Sequence, residues 1–389
     1  MIRIAVLGST GSIGISTLAV VDRHPGRFEV VALAANRSVE LLEEQVRRHH
    51  PSHVVVADED AFGALDEPDG RWAGGRDALL EVAALSEVDV VVNALVGFAG
   101  LEPSLRALDA GKRLALANKE SLVAGGPLLV DSLQRAGGEL IPIDSEHSAI
   151  LQCLEGCRPE EVRRIVLTAS GGPFRGWSPD RLLHVTASDA LSHPTWDMGA
   201  KISVDSATLA NKALEVIEAH VLYGTPYDRI DVVVHPQSIV HSFVEMIDGS
   251  VLAQLGFPTM ELPILYALSY PERLTDPELQ TFDPVRSSPL TFEEVDHHAF
   301  PLLSMGIGAG RVGGIAPTIF NAANEVGVEA FLRGEISFPE MARVVEEVLA
   351  GSESGSGQSL DEVTEADRSA RRRARYLISR RKTTVGSNG

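Results

Sequence analysis

Residues 1–23 read as a strand, a glycine turn and a helix, and that order restricts the fold more than any other part of the chain. Ile2-Arg3-Ile4-Ala5-Val6-Leu7 is a short, largely apolar and β-branched run of the kind buried in a parallel sheet. It leads into Gly8-Ser9-Thr10-Gly11-Ser12-Ile13-Gly14, and an apolar-periodic helix follows from Ile15 to about Arg23. Glycines here let the backbone approach a pyrophosphate, whose charge then rests at the helix N-terminus. The spacing is G-x-x-G-x-x-G rather than the commoner G-x-G-x-x-G, so structural glycines in a plain strand-turn-helix are a competing reading. Strand patterns recur at His53–Ala57, Val88–Ala94 and Arg113–Ala117, alternating with helical stretches such as Ser38–His49 and Leu101–Ala110. This alternation predicts a doubly wound, Rossmann-like α/β domain over residues 1–143.

The second strand, Glu29–Ala34, bears on which dinucleotide binds. An NAD site usually ends this strand with an acid for the ribose hydroxyls. Here Ala35-Asn36-Arg37-Ser38 follows, with a guanidinium and no carboxylate. Arg37 can fork onto a 2′-phosphate that a carboxylate would repel, so NADP(H) is expected. Asn93-Ala94-Leu95-Val96-Gly97 and Ala117-Asn118-Lys119-Glu120-Ser121 also fall at strand ends, the ligand-binding edge of an open α/β sheet. Lys119 is either a site residue or a helix-start lysine paired with Glu120.

Beyond this domain, Leu140-Ile141-Pro142-Ile143 leads into Asp144-Ser145-Glu146-His147. Residues two apart in an extended chain point the same way, so Asp144 and Glu146 converge and call for a cation or a proton between them. Mg²⁺ or Mn²⁺ suits such oxygen ligands, and Glu215 adds a third carboxylate. Alternatively, Asp144 only caps the next helix. In Asp205-Ser206-Ala207-Thr208-Leu209-Ala210-Asn211-Lys212-Ala213-Leu214-Glu215, a helix is expected to start near Ser206 as N-cap. Asn211, Lys212 and Glu215 would then share one arc, opposite Leu214, Ile217 and Val221. Such an arc can take an oxyanion and help hold a metal, or be an ordinary solvated face. Ser170-Gly171-Gly172 can present amides to an anion, and residues 170–200, including His193, Trp196 and Met198, suit a mobile lid. His235 is a substrate-side donor or a structural histidine.

At 389 residues the chain exceeds one core. A central α+β catalytic domain (144–275), a linker (276–296) and a C-terminal helical domain (297–389) are expected, with a last helix near Ala366–Ser379 and a frayed tail from Lys382. The formal charge of −20 argues against nucleic acid or an anionic membrane as partner. Cys153 and Cys157 cannot alone form a disulfide framework or thiolate metal site and read as small buried side chains. The N-terminal segment lacks a signal-peptide pattern, so a cytoplasmic setting is expected. Arg371-Arg372-Arg373 reads as a solvated helix face, while His49-His50 and His297-His298 receive no role.

Taken in order, GSTGSIG, NALVGFAGL, LANKESLV, IDSEHSAI, SGGPFR, HPTWDMGAKISVDSATLANKALEVIEA, HPQSIVHS and DGSVLAQLG resemble the 1-deoxy-D-xylulose 5-phosphate reductoisomerase family. The resemblance covers nearly the whole chain. It implies an NADPH-dependent homodimer using Mg²⁺ or Mn²⁺ to rearrange a sugar phosphate and reduce the product. It further implies metal ligation by Asp144, Glu146 and Glu215, and phosphate binding by Ser170, Ser206, Asn211 and Lys212 near His193. Lys119, Ser145 and Asn211 would touch substrate hydroxyl and carbonyl oxygens. Gly8, Ser9, Thr10, Gly11, Ser12, Ile13, Asn36, Arg37 and Ser38, with Asn118, Glu120 and Gly199, would serve the cofactor. Thr259 stands where family members commonly carry an acid, which leaves a local contact open. The competing readings are an NADP-dependent dehydrogenase of a phosphorylated or acidic aldehyde, without rearrangement, and a non-catalytic NADP-sensing protein.

Overall fold

The structure is a computed structural model, and residues 1–66 and 68–386 are described. Packing divides the chain into two compact units. Met1–Ser121, Leu129–Ser148 and Thr259–Gln280 make the first, and Leu122–Leu128, Ala149–Pro258 and Thr281–Gly389 the second. Both are discontinuous in sequence, whereas the sequence reading divides the chain into consecutive blocks.

The first unit runs β1 (Ile2–Leu7), α1 (Ser12–Arg23), β2 (Phe28–Ala35), α2 (Val39–His49), β3 (His53–Val56), α3 (Glu59–Gly63), β4 (Trp72–Gly74), α4 (Gly75–Val82), β5 (Val90–Asn93), α5 (Leu101–Asp109), β6 (Arg113–Leu116), α6 (Lys119–Ala136) and β7 (Glu139–Pro142). Its sheet has the order β4-β3-β2-β1-β5-β6-β7 with every pair parallel. The central strands bury both faces, which is why Ile4 to Leu7 and Val90 to Asn93 are sealed rather than alternating. Order reverses between β1 and β5, opening the crevice at the strand ends where α/β folds bind ligands. The doubly wound expectation holds.

After α7 (Ser145–Leu154) the second unit builds β8 (Val162–Ala169), α8 (Pro179–Leu182), α9 (Ala187–Leu191), α10 (Ala200–Thr208), α11 (Ala210–Tyr223), β9 (Ile230–Val234), β10 (Val240–Met246) and β11 (Val251–Leu255). Its sheet runs β11-β10-β8-β9, parallel only between β8 and β9. Ile165 and Leu167, two apart on β8, face Val216 and Ala219 of α11 and Ile150 of α7 in one apolar cluster.

The chain then returns to the first unit as α12 (Glu261–Ser269), which packs on α1. Thr259 Oγ1 accepts from Glu261 N at 3.2 Å and so supplies an uncharged polar contact at the helix start. Arg23 of α1 fixes this return by ion pairs with Glu261 and Asp276, both at 2.8 Å.

Four helices finish the second unit: α13 (Pro301–Val312), α14 (Ala316–Leu332), α15 (Phe338–Ala350) and α16 (Leu360–Gly386). α14 is buried almost all round because α10, α11, α13, α15 and α16 surround it. The last helix is longer than expected, and the predicted frayed tail is helical to Gly386; residues 387–389 lie outside the described ones. Arg371 is not on a solvated face. It pairs with Glu325 of α14 at 2.6 Å and with Asp367 at 2.8 Å, so this arginine locks α16 onto the bundle.

Asp276 has a fully covered side chain, and Arg23 is its guanidinium partner. Arg23→Ala should therefore destabilise the protein by about 2 kcal/mol, because a buried carboxylate is left without its counter-charge. An unchanged midpoint in urea denaturation would show that solvent replaces the pair at no cost.

Candidate active site

At the turn after β1, Gly8 has φ +87°, and its N–H and that of Ser9 both donate to Ala34 O, at 2.8 and 2.9 Å. A side chain at Gly8 would meet Ala94 O at 2.6 Å, and one at Gly14 would lie 2.4–2.5 Å from the backbone of Gly8 and Ser9. These two glycines are needed for packing. Gly11 has only Gly8 O nearby, at 3.4 Å, and it precedes α1 with no side-chain cap, so the open approach lies there. Uncapped first-turn amides beside Ser9, Thr10, Ser12 and Ile13 have the character that suits an anion.

Gln45 was not singled out by the sequence reading. Buried on α2, it donates from Nε2 to Ser9 O at 2.8 Å and ties the turn to the next helix. The available signal was a polar residue in register with Leu42 and Val46 on the inward face. Asn118 uses its side chain internally: Nδ2 donates to Leu95 O (2.8 Å) and Gly97 O (2.9 Å), and Oδ1 caps Ser121 N (3.1 Å). It shapes the crevice wall, with Glu120 Oε2 accepting from the same amide at 3.1 Å.

Lys119 reaches beyond its own helix start. Buried at the start of α6, it forms an ion pair with Asp144, which follows β7. Burial alone would raise the Asp144 pKa, but the Lys119 ammonium and the His147 ring carry it well below the usual carboxylate range. Next to it, Ser145 donates its hydroxyl to Glu146.

Ser206 is not a helix N-cap. It lies in the last turn of α10, and the break comes at Leu209, whose φ of 60° is rare for a leucine. α11 starts immediately after, and Thr208 Oγ1 accepts from Ala210 N at 3.3 Å. Neither is α11 half solvated: Lys212 and Glu215 are 3% and 1% exposed and pair with each other. Asn211 Nδ2 donates to the other Glu215 oxygen at 2.5 Å. Both Glu215 oxygens are thereby held.

Gly171 and Gly172 have φ of +83° and +65°, and a side chain on Gly172 would strike Ser206 O at 2.8 Å. Close backbone approach thus brings the Ser170 turn onto the end of α10. Phe174 anchors the turn edge-on against Phe338 at 5.1 Å. His193 Nδ1 accepts from Thr195 N (3.1 Å) and Trp196 N (2.9 Å). Burial lowers its pKa, so the neutral ring carries its proton on Nε2 and donates it to Ser170 Oγ at 2.9 Å. That oxygen also accepts from Gly172 N at 3.2 Å, which leaves the Ser170 proton for a ligand. Asp205, missed as a positioning group, is fully buried and held by Asn324 (2.7 Å) and Lys201 (2.8 Å).

Elsewhere, Gly199 precedes α10, exposed. His235 is bonded at both ring nitrogens, to Thr291 O (2.8 Å) and from Ile239 N (3.1 Å), and stacks on Phe292, which favours its structural reading. Cys153 and Cys157 are free thiols, half-buried rather than sealed, and burial pushes Cys153 up to about 11. Of the three carboxylates expected to bind metal, Asp144 and Glu146 belong to the first unit and Glu215 to the second. An all-oxygen donor set of this kind suits Mg²⁺ or Mn²⁺.

Family models match in three segments: 1-deoxy-D-xylulose 5-phosphate reductoisomerase over residues 4–126, its C-terminal domain over 140–223, and the DXP reductoisomerase C-terminal domain over 255–373. A 1-deoxy-D-xylulose 5-phosphate reductoisomerase of Gloeobacter violaceus is 51% identical, with 98% of each chain covered. The chain belongs to the 1-deoxy-D-xylulose 5-phosphate reductoisomerase family. A relative from Ralstonia nicotianae is also 51% identical, covering 97% of this chain and 98% of its own. Solved reductoisomerases share the fold. The Zymomonas mobilis protein in complex with NADPH is 41% identical, with a TM-score of 0.90 over 97% of this chain and 99% of its own. A DOX-P reductoisomerase in complex with NADPH, fosmidomycin and magnesium is 38% identical, with a TM-score of 0.94 over 98% and 99%. No helix among the described residues is long and apolar enough to cross a membrane.

In this reductoisomerase, Gln45→Leu removes the clamp on Ser9 O while keeping the buried volume. NADPH binding should weaken by about fivefold, the worth of one buried hydrogen bond. Fluorescence titration checks this, and an unaltered Kd would mean that the turn holds its shape unaided.

Proposed function

We propose that this chain is an oxidoreductase and isomerase converting 1-deoxy-D-xylulose 5-phosphate to 2-C-methyl-D-erythritol 4-phosphate, with NADPH and Mg²⁺ or Mn²⁺, in isoprenoid precursor synthesis. Full-length likeness to named reductoisomerases supports the reading. The observation that carries it in the residues is that two of the trio Asp144, Glu146 and Glu215 pair with buried lysines, Lys119 with Asp144 in the first unit and Lys212 with Glu215 in the second.

In this reading the trio holds the metal, and Lys119, Ser145 and Asn211 orient the substrate's carbonyl and hydroxyl oxygens. Ser170, Ser206, Asn211 and Lys212 take the phosphate, with His193 keeping the Ser170 hydroxyl turned toward it. Gly8 to Ile13 cradle the pyrophosphate, Asn36, Arg37 and Ser38 the adenosine end, and Asn118, Glu120 and Gly199 complete the cofactor contacts. When bound, the ion supplies Lewis acidity toward the substrate oxygens, and NADPH supplies hydride. Residues 170–200 close over the phosphate and exclude water, so that binding far from the reacting carbons helps fix them. Sequence blocks 1–143, 144–275 and 297–389 then divide the work into cofactor binding, chemistry and support, joined by 276–296.

A cytoplasmic homodimer is part of the proposal. β11 is an edge strand whose Val251 and Leu252 are exposed, with Ile247 before it, and such an edge suits pairing with a second copy. A monomeric mass by light scattering would contradict it.

The deciding assay follows NADPH oxidation with deoxyxylulose phosphate, with and without chelator, and identifies the product. Metal-dependent formation of the branched alcohol is expected; an unbranched product would point instead to a simple dehydrogenase. Glu215→Gln should leave NADPH binding nearly intact while turnover falls by about two orders of magnitude or more, since a ligand charge is lost. Near-normal turnover at saturating Mg²⁺ would remove Glu215 from the ligand set. Lys212→Ala should chiefly raise the KM for the sugar phosphate, and an unchanged KM would remove that lysine from the phosphate site.

A further inference from the structure

The adenosine end of the dinucleotide site contains an acid that sequence order conceals. β2 ends at Ala35 with no carboxylate in Asn36-Arg37-Ser38. Parallel pairing sets Ala35 beside Val56, so the chain leaving β3 runs along that turn. Asp58 N donates to Asn36 O at 3.3 Å. Arg37 Nε donates to Asp58 Oδ2 at 2.7 Å, and Asp58 Oδ1 accepts from Ala61 N at 2.9 Å as the N-cap of α3. The Asp58 side chain is 17% exposed and that of Arg37 is 72% exposed. One partner is anchored by the fold and the other is a long cation reaching into water.

A guanidinium has five donors in a planar fork, and engaging Nε leaves the outer nitrogens for a phosphate. A free arginine gives up rotamer entropy when it is fixed, and a tether removes part of that loss before the ligand arrives. A carboxylate close to a phosphate also repels it, but here the guanidinium is bonded to the acid and its positive charge offsets that repulsion.

We infer that Asp58 is a positioning residue for cofactor choice, holding the Arg37 guanidinium in place for the 2′-phosphate of NADP(H). The inference deepens the reading of Arg37 given under the proposed function and rests on it. Asp58 itself acts through Arg37 and needs no contact with the cofactor.

Three full-length variants separate the possibilities. Asp58→Asn keeps a good N-cap and loses the charge, Asp58→Ala loses both, and Arg37→Ala removes the proposed phosphate ligand. Calorimetry reads the Kd of NADPH, NADH, 2′-AMP and 5′-AMP for each, and steady-state kinetics reads kcat and KM. Arg37→Ala should cut the NADPH-over-NADH preference by about tenfold or more. Asp58→Asn should weaken NADPH and 2′-AMP by roughly three- to fivefold, the scale of an exposed ion pair, and shift NADH and 5′-AMP by less than about 1.5-fold. Its kcat at saturating NADPH should stay close to wild type while the KM for NADPH rises. Asp58→Ala should repeat that pattern with added loss of thermal stability.

Tighter or unchanged NADPH binding by Asp58→Asn, with Arg37→Ala still losing its preference, overturns the tether and leaves the Arg37 reading intact. Equal weakening of all four ligands by Asp58→Asn would assign the aspartate a purely structural role and also overturn it. If Arg37→Ala keeps the NADPH preference, the underlying reading fails and the tether fails with it.

Discussion

Charge taken out of water has to be met by opposite charge, and the chemistry of this reductoisomerase is arranged around that requirement. Lys119 and Asp144 pair within the first unit, and Lys212 and Glu215 pair within the second. Each lysine and Glu215 is buried, and Asp144 is nearly so. In such surroundings an unpaired ammonium would release its proton and an unpaired carboxylate would take one up. At Asp144 the Lys119 ammonium holds the carboxyl well below the usual carboxylate range. Charged carboxylates are what a divalent ion needs, and a charged ammonium is what a phosphate or developing oxyanion needs.

Two backbone devices supply the positions. At the first turn, Gly8 and Gly14 let strand, turn and helix pack without side chains between them, and Gln45 ties the result to α2. At the second, Leu209 takes a left-handed conformation between α10 and α11. That conformation is unfavourable for leucine in isolation, and it persists because Leu209 is buried in the bundle core and Asp205 is fixed from α14. The C-terminal helices therefore have an identifiable task. Through Asn324 on Asp205 and Phe338 on Phe174, they hold two turns that carry Ser170 and Ser206.

Periodic signals were legible along the chain because they depend on neighbours a few residues away. β1, β2, α1, α2 and α5 fall within a residue or a few of the predicted spans, and the parallel order followed from strands alternating with helices. Ser206 was misread as a cap because a serine before an apolar-periodic run looks the same whether it opens one helix or closes another. The buried face of α11 was underestimated for a related reason. Lys212 and Glu215 have the spacing of a surface pair, and only the elements packed around them remove the water.

Residue identity by itself determined a doubly wound dinucleotide fold, a glycine turn for a pyrophosphate, a supply of carboxylates and lysines, and the family. Those features reside in local hydrophobic period, glycine placement and side-chain chemistry. Tertiary structure alone decided the partners: Lys119 with Asp144, Arg37 with Asp58, Arg371 with Glu325, and Gln45 with Ser9. The physical reason is that opposite charges and hydrogen-bonding groups attract across space. Folding sets which of them come within about 3 Å, and distance along the chain carries no record of it.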